Sequence, residues 1–335
     1  SEMCIRDSNW VDGGVASPNP FYWSTAGYGV VRNTFKPGNY DFGASDDGQV
    51  TTTHQENRFD AVYFFDAKPY DLLKDYYDLT GAPAMMPRYG LYEAHLNAYN
   101  RDTWVPVPEG TSGAIKFEDG KYYKEYQPGK IPAGQSGIKE SLNGELNNYQ
   151  FSARAVIDRY QKNDMPLGWF LPNDGYGAGY GQTDTLAGNL QNLKSFADYA
   201  EQHGVATGLW TQQNLSPVDP ANPKPDDRDF AKEVAIGVKA LKTDVAWVGS
   251  GYSFGLDGLA KADAMMTQVK GDSLRPFAIT LDGWAGTQRY AGVWTGDQTG
   301  GQWEYIRFHI PTYIGTGLSG QPYVGCLLYT SPSPR

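Results

Sequence analysis

The feature that most constrains this chain is a strand-then-helix rhythm, running from Pro87 onward, whose apolar runs end in polar residues. Leu167–Leu171 is such a run and breaks at Pro172-Asn173-Asp174. A helical stripe follows at Leu190, Leu193, Phe196, Ala197 and Ala200 and stops at Gly204, where Val205–Trp210 begins the next run. Phe230, Val234 and Val238 predict a helix leading into Ala-Leu-Lys-Thr-Asp, which ends at Asp244. Leu259, Ala262, Met266 and Val269 predict another, stopped by Gly271. Apolar residues at a helical period between short buried runs define βα units. Successive βα units predict parallel strands joined by right-handed crossovers. Candidate strands lie near 89–93, 167–171, 205–210, 240–245, 276–281, 292–296 and 322–325. The fold class expected is therefore α/β, a (β/α)8 TIM barrel that stops before its last strand.

Residues 9–80 read differently. Phe-Tyr-Trp-Ser-Thr, Tyr-Gly-Val-Val-Arg-Asn-Thr and Ala-Val-Tyr-Phe-Phe are aromatic or β-branched runs separated by Gly, Pro, Asn and Asp. Such runs predict strands, here the end of a β-sandwich domain. Leu72, Leu73, Tyr76, Tyr77 and Leu79 form a helical stripe closed by Gly81 and Pro83. The sandwich and its connection are thus assigned to 9–84 and the barrel to 85–325. Residues 100–148 interrupt the barrel rhythm with Pro, Gly, Lys, Glu and Tyr. An aperiodic stretch of that length predicts an inserted loop or subdomain over the active face.

The two ends look foreign. Residues 1–8 and 326–335 resemble translated sequencing-adapter sequence and are set aside from fold reasoning, as a processing scar would be. Both cysteines, Cys4 and Cys326, fall there, so the intervening portion has no disulfide or thiolate chemistry. The expectation is a fragment with an open barrel edge, poorly soluble and inactive on its own.

Composition narrows the partners. A formal net charge of -10 argues against nucleic acid and anionic membranes. No apolar run approaches the roughly 18 residues of a membrane span. With 4 histidines, no His-x-His or His-Glu-x-x-His spacing and no cysteine outside the ends, no metal or other cofactor is expected. The glycine-rich 175–181 lacks the lysine and spacing of a phosphate loop and predicts a subsite loop instead. The 9 Trp and 24 Tyr, with many amides, are a mix common in secreted carbohydrate-active proteins and also found in ordinary soluble enzymes; an extracellular bacterial address is the expectation.

Asp244 and Asp297 each end a strand-like run, and in a parallel barrel the C-terminal strand ends converge on one face. Trp247 and Trp294 flank them as flat surfaces for a sugar. Paired carboxylates across a pocket are what glycosidic bond cleavage requires. Taken alone, each aspartate also suits a helix cap. Asp174 predicts a sugar-hydroxyl contact or an Asx-turn, and Trp210 a subsite wall or ordinary core. Arg289 is read as orienting a carboxylate near Asp297 or as a structural pair. His309 is read as a satisfied core histidine. Glu93 and His95 end the first strand near the pocket without direct chemistry.

These motifs resemble glycoside hydrolase family 31, retaining enzymes that act on α-glucosides, over nearly the whole chain between the foreign ends. Asn-Pro-Phe-Tyr-Trp-Ser-Thr-Ala-Gly-Tyr-Gly-Val resembles the loop in the sandwich before the barrel. Leu-Lys-Thr-Asp-Val-Ala-Trp sits where that family keeps its nucleophile, on the fourth strand. Gln-Arg-Tyr-Ala-Gly-Val-Trp-Thr-Gly-Asp-Gln resembles the signature ending in the general acid on the sixth. The resemblance implies Asp244 as nucleophile and Asp297 as acid/base, acting on an α-gluco-oligosaccharide. Leu-Asp-Gly-Trp-Ala-Gly-Thr-Gln-Arg-Tyr-Ala-Gly and Trp-Glu-Tyr-Ile-Arg-Phe-His-Ile-Pro-Thr-Tyr-Ile-Gly are similar to the branch that makes cyclic tetrasaccharides from α-glucans, with its glucosyl- and isomaltosyltransferases. One departure stands out. Leu281-Asp282 occupies the place of the family's usual Arg-Ser, so Asp282 is expected to take part of the missing arginine's role. The alternatives are a plain α-glucosidase hydrolase and a non-catalytic glucan-binding barrel.

Overall fold

The computed structural model describes residues 19–96, 103–127, 129–172, 184–212, 214–224, 227–296 and 303–325. Both adapter-like ends, Asp174 and Asp297 lie outside the described residues. The described chain divides into two compact units. One gathers the residues up to Met85 with Thr243–Asp263 and those from Ala278 onward; the other gathers Met86–Lys242 and Ala264–Phe277.

The first unit opens with β1 (Phe21–Ser24) and β2 (Tyr28–Arg32), then β3 (Gly38–Phe42), β4 (Val50–His54) and β5 (Ala61–Phe65). β1, β2 and β5 form one antiparallel sheet in that order, while β3 and β4 form a separate hairpin. Alternation decides the buried face. Phe21 and Val31, opposed across β1 and β2, pack with Tyr76 of α1 (Pro69–Thr80), and Phe21 stacks on Tyr76 at 4.3 Å. Pro69 starts α1 and Gly81, at φ 93°, ends it. Of the expected stripe, Leu72 and Tyr76 are buried, whereas Leu79 in the last turn is exposed.

The second unit holds the first four barrel strands: β6 (Glu93–Leu96), then β10 (Trp169–Pro172), β11 (Ala206–Thr211) and β12 (Val238–Thr243). The insertion between β6 and β10 contains a small antiparallel sheet, β7 (Thr103–Val107), β8 (Ile115–Lys116) and β9 (Tyr122–Tyr126), in the order β7-β9-β8. Trp104, Phe117, Tyr123 and Phe151 supply its core. Helices α2 (Ala153–Lys162), α3 (Asp184–Gln202) and α4 (Phe230–Ala235) connect the strands. Ser152 caps α2 and Asp229 caps α4, each side chain accepting from an amide three residues on.

Two boundaries differ from the sequence expectation. The first barrel strand begins at Glu93 because Arg88–Leu91 makes a tight 3-10 turn after Pro87. There the Tyr89 ring packs on Phe277 and its hydroxyl donates to the Lys239 carbonyl at 3.1 Å. α4 stops at Ala235, so Val238 is the first residue of β12 rather than a helical position; Gly237, at φ 126°, makes the break.

The last three barrel strands, β13 (Ala278–Thr280), β14 (Gly292–Trp294) and β15 (Val324–Gly325), belong to the first unit, with α5 (Asp257–Lys270) preceding β13 and α6 (Trp303–Leu318) preceding β15. Hydrogen bonding sets the strand order β15-β14-β13-β12-β11-β10-β6. β6 with β10, β10 with β11, β13 with β14 and β14 with β15 are parallel. The result is an α/β fold with an open sheet of seven strands, as the sequence rhythm predicts.

Side-chain parity separates the sheet's two faces. Phe170 packs on Phe196 of α3, which marks the helix-covered face. Glu93, Trp169 and Gly208 point the other way, and a side chain at Gly208 would collide with the Trp169 ring and close on Ala240. Ala240, Lys242 and Asp244 therefore share the inward face, since strand residues two apart point alike.

Candidate active site

Asp244 follows the last residue of β12 and is half-buried. Its backbone is extended, at φ -151° and ψ 179°, and its Oδ1 accepts the Val245 amide at 2.8 Å. Val245 has φ 49°. A β-branched residue in the left-handed region carries strain of about 1–3 kcal/mol, a cost that recurs where a side chain must be aimed. The chain turns sharply there, and Asp244 stays at the strand's C-terminal end, where barrel enzymes carry their chemistry.

The loop after Asp244 is braced from β13. Asp282, two residues past that strand, accepts the Gly249 amide on Oδ2 at 2.8 Å, and its carbonyl accepts the Thr287 hydroxyl. Asp282 is thus tied to the Asp244 loop. Below, the buried hydroxyls of Thr243 and Thr280 are joined at 2.8 Å. Leu281 packs with Trp294, Val248 and Ile279, so the same segment holds the Trp294 end of β14.

The tryptophans are packed. Trp247 and Trp294 each keep 2% of their surface and Trp210 none. The Trp247 ring lies 4.9 Å from that of Phe254 and so close to Gly258 of α5 that a side chain there would collide with it. Arg289 is exposed. Its aliphatic portion lies against Gly81 and its guanidinium over the Tyr290 ring at 5.0 Å. Its neighbour Gln288 is fully buried and donates to the Thr80 hydroxyl and the Gly81 carbonyl, both at 2.8 Å. The structure thus brings together Asp244, Asp282, Trp247 and Trp294 within one unit and describes Trp210 in the other.

His309 is buried near the Thr295 hydroxyl, 3.4 Å from Nε2, and stacks on Tyr313; burial lowers its pKa. Among the described residues no three His, Cys, Asp or Glu side chains converge as a cation site would require.

Sequence reasoning missed the buried charge of Lys242 on the inward face and the enclosure of the Glu93 carboxyl, although it placed Glu93 near the pocket. Lys242, two residues before Asp244, is fully buried. Glu93 of β6 has a carboxylate oxygen with no accessible surface. Burial pushes its pKa up to about 7, with the Lys242 charge pulling the other way. The available signal was the position of Lys242, two residues before Asp244 and therefore at its parity.

A seven-stranded parallel sheet with a half-buried carboxylate at the end of its fourth strand defines the class: an α/β half-barrel. Residues 254–327 match the glycosyl hydrolases family 31 TIM-barrel domain. It is 21% identical to a probable glucan 1,3-alpha-glucosidase of Oryza sativa subsp. japonica, over 91% of this chain and 35% of that protein. It is 24% identical to alpha-glucosidase 2 of Bacillus thermoamyloliquefaciens, over 92% of this chain and 42% of that one. The chain therefore spans less than half the length of these curated relatives. Its fold is similar to that of a family 31 dextranase from Flavobacterium johnsoniae complexed with glucose, with a TM-score of 0.59 at 16% identity, covering 92% of this chain and 40% of that one. A cycloalternan-degrading enzyme from Trueperella pyogenes in complex with cycloalternan gives a TM-score of 0.59 at 12% identity, covering 93% and 48%.

Proposed function

We propose that this chain is the catalytic portion of a retaining α-glycosidase that acts on α-gluco-oligosaccharides by double displacement, with transfer of a glucosyl or isomaltosyl unit. The Asp244 carboxylate attacks the anomeric carbon and forms an ester to it, while the Asp297 carboxyl gives its proton to the departing glycosidic oxygen. In the second step the Asp297 carboxylate takes the proton of an incoming hydroxyl. That oxygen bonds to the anomeric carbon and Asp244 leaves as a carboxylate. Retaining enzymes hold two such groups about 5–5.5 Å apart, where each charge raises the other's pKa and keeps the acid protonated once the nucleophile is ionised.

The observation that carries this reading is the setting of Asp244: half-buried, at the end of the fourth strand, aimed by a left-handed valine and braced through Gly249 by Asp282. A helix cap needs no such strain. Asp174 is assigned to sugar-hydroxyl binding and Asp282 to holding the nucleophile loop. Trp247 and Trp294 are assigned as the packed wall behind the sugar, Trp210 separately to a subsite wall at the end of β11, and Arg289 as a residue that orients the signature turn.

The names of the relatives share the α-glucosidic bond, which supports the substrate class. The signature beginning at Leu281-Asp282 supports transfer, with a sugar hydroxyl as acceptor, over release to water. The test is a fluorinated α-glucosyl fluoride that stalls the second step, followed by peptide mass mapping of the folded protein. The label is expected on the Asp244 peptide; turnover with the label elsewhere overturns the assignment. Product chromatography after incubation with isomaltose-type oligosaccharides decides the second step, and glucose as sole product rejects transfer.

A further inference from the structure

A buried ion pair in the second unit has no part in the chemistry above. Arg228 and Glu233 both have fully buried side chains. The Arg228 guanidinium donates through Nε and Nη2 to one oxygen of Glu233, at 3.0 and 2.8 Å, and through Nη1 to the backbone carbonyl of Trp210 at 2.5 Å. Trp210 is the penultimate residue of β11, and the chain then makes a long excursion before α4 begins at Phe230. The far end of that excursion is closed by the Phe230 amide, which donates to the Leu215 carbonyl at 2.9 Å. Arg228 therefore joins the two ends of a long loop at the C-terminal end of a barrel strand, the place where such folds carry recognition.

Stability alone does not call for these residue types. An apolar pair of the same volume serves a core as well as a buried ion pair, or better. Only a guanidinium presents enough donors in one rigid plane to hold a carboxylate on one edge and a carbonyl on another.

We infer that Arg228, held in place by Glu233, is a positioning residue that fixes the Trp210 end of β11 and through it sets how tightly an α-gluco-oligosaccharide is bound. This rests on the function proposed above, which makes that strand end part of the sugar-binding face. The guanidinium touches no reacting atom, so its loss weakens binding of substrate and transition state alike. KM rises while kcat holds. A merely structural pair behaves differently: its loss lowers the folded fraction, and with it the apparent kcat, and leaves KM unchanged.

The experiment compares the wild-type protein with the double variant Arg228→Met/Glu233→Leu, which removes both charges together, and with Arg228→Lys, which keeps the charge but not the fork. Thermal melting, amide exchange over residues 211–215, and KM and kcat on an isomaltotriose-length substrate are measured on each. The double variant is expected to melt near wild type, to exchange faster at 211–215 and to raise KM about tenfold with kcat within about twofold. Arg228→Lys is expected to raise KM by less, and it carries the test if the double variant does not fold. Wild-type KM in a folded variant overturns the inference. Absence of α-glucoside turnover in the wild-type protein overturns the functional reading instead, while unchanged exchange at 211–215 in the double variant separately overturns the clamp.

Discussion

The inserted sheet and the barrel strand ends treat polar groups in opposite ways. Between Thr103 and Phe151 the chain encloses a cluster of aromatic rings, with Trp104 5.2 Å from Phe117 and Phe117 4.6 Å from Phe151. The buried carboxylate there, Glu140, accepts the Trp104 indole N–H at 2.8 Å. Within β12 and β6, by contrast, an ammonium and a carboxyl are enclosed at Lys242 and Glu93, and the strand end at Val245 is strained. The first arrangement is built to stay folded. In the second, burial raises the Glu93 pKa and Val245 sits in the left-handed region, and both cost stability.

The largest effect that separates the two regions is kinetic. Asp244→Asn is expected to lower kcat by roughly 10⁴-fold, the scale of losing a group that bonds to substrate. Steady-state assay of the folded variant checks this, and retained turnover removes Asp244 from the chemistry. Trp104→Ala is expected to do the converse. It costs about 3–5 kcal/mol of stability by opening an aromatic core, measured by denaturant titration, and leaves kcat per folded molecule near wild type. A large fall in kcat there breaks the contrast by giving the insertion a catalytic role.

The smallest effect tests the buried carboxyl. The Glu93 pKa rises from an ordinary 4.5 to about 7 on folding. Between those values the folded state holds a proton that the unfolded state has lost. The stabilisation is therefore complete below pH 4.5 and is lost as pH climbs through about 7, a fall of about 3 kcal/mol. Stability measured from pH 4 to 8 is expected to show that slope in the wild-type protein and to lack it in Glu93→Gln. The same slope in both places the titration elsewhere.

Much of the barrel was legible because its strands are buried on both faces and its helices on one, which writes two distinct periods into the chain. The seven expected strands all exist, displaced by a few residues where local chemistry intervened: Pro87 and Tyr89 made a turn of the first, and Gly237 ended α4 before Val238. The inserted sheet was not legible. β7 contains Pro106 and β8 is two residues long, so neither carries a sustained alternation; Trp104 and Phe151 meet only after the chain folds back. At the site, Asp244 stood out because it ends an apolar run. The tie from Asp282 to Gly249 spans 33 positions and has no local signature.

The sequence by itself determined the class of fold and the position of Asp244, because hydrophobic period and strand-ending residues are local properties that survive in any context. Only the tertiary structure decided which charges lie inside, which rings are packed and what holds each strand end. Those are properties of neighbours far apart in the chain, and burial energies act on the contact, not on the residue.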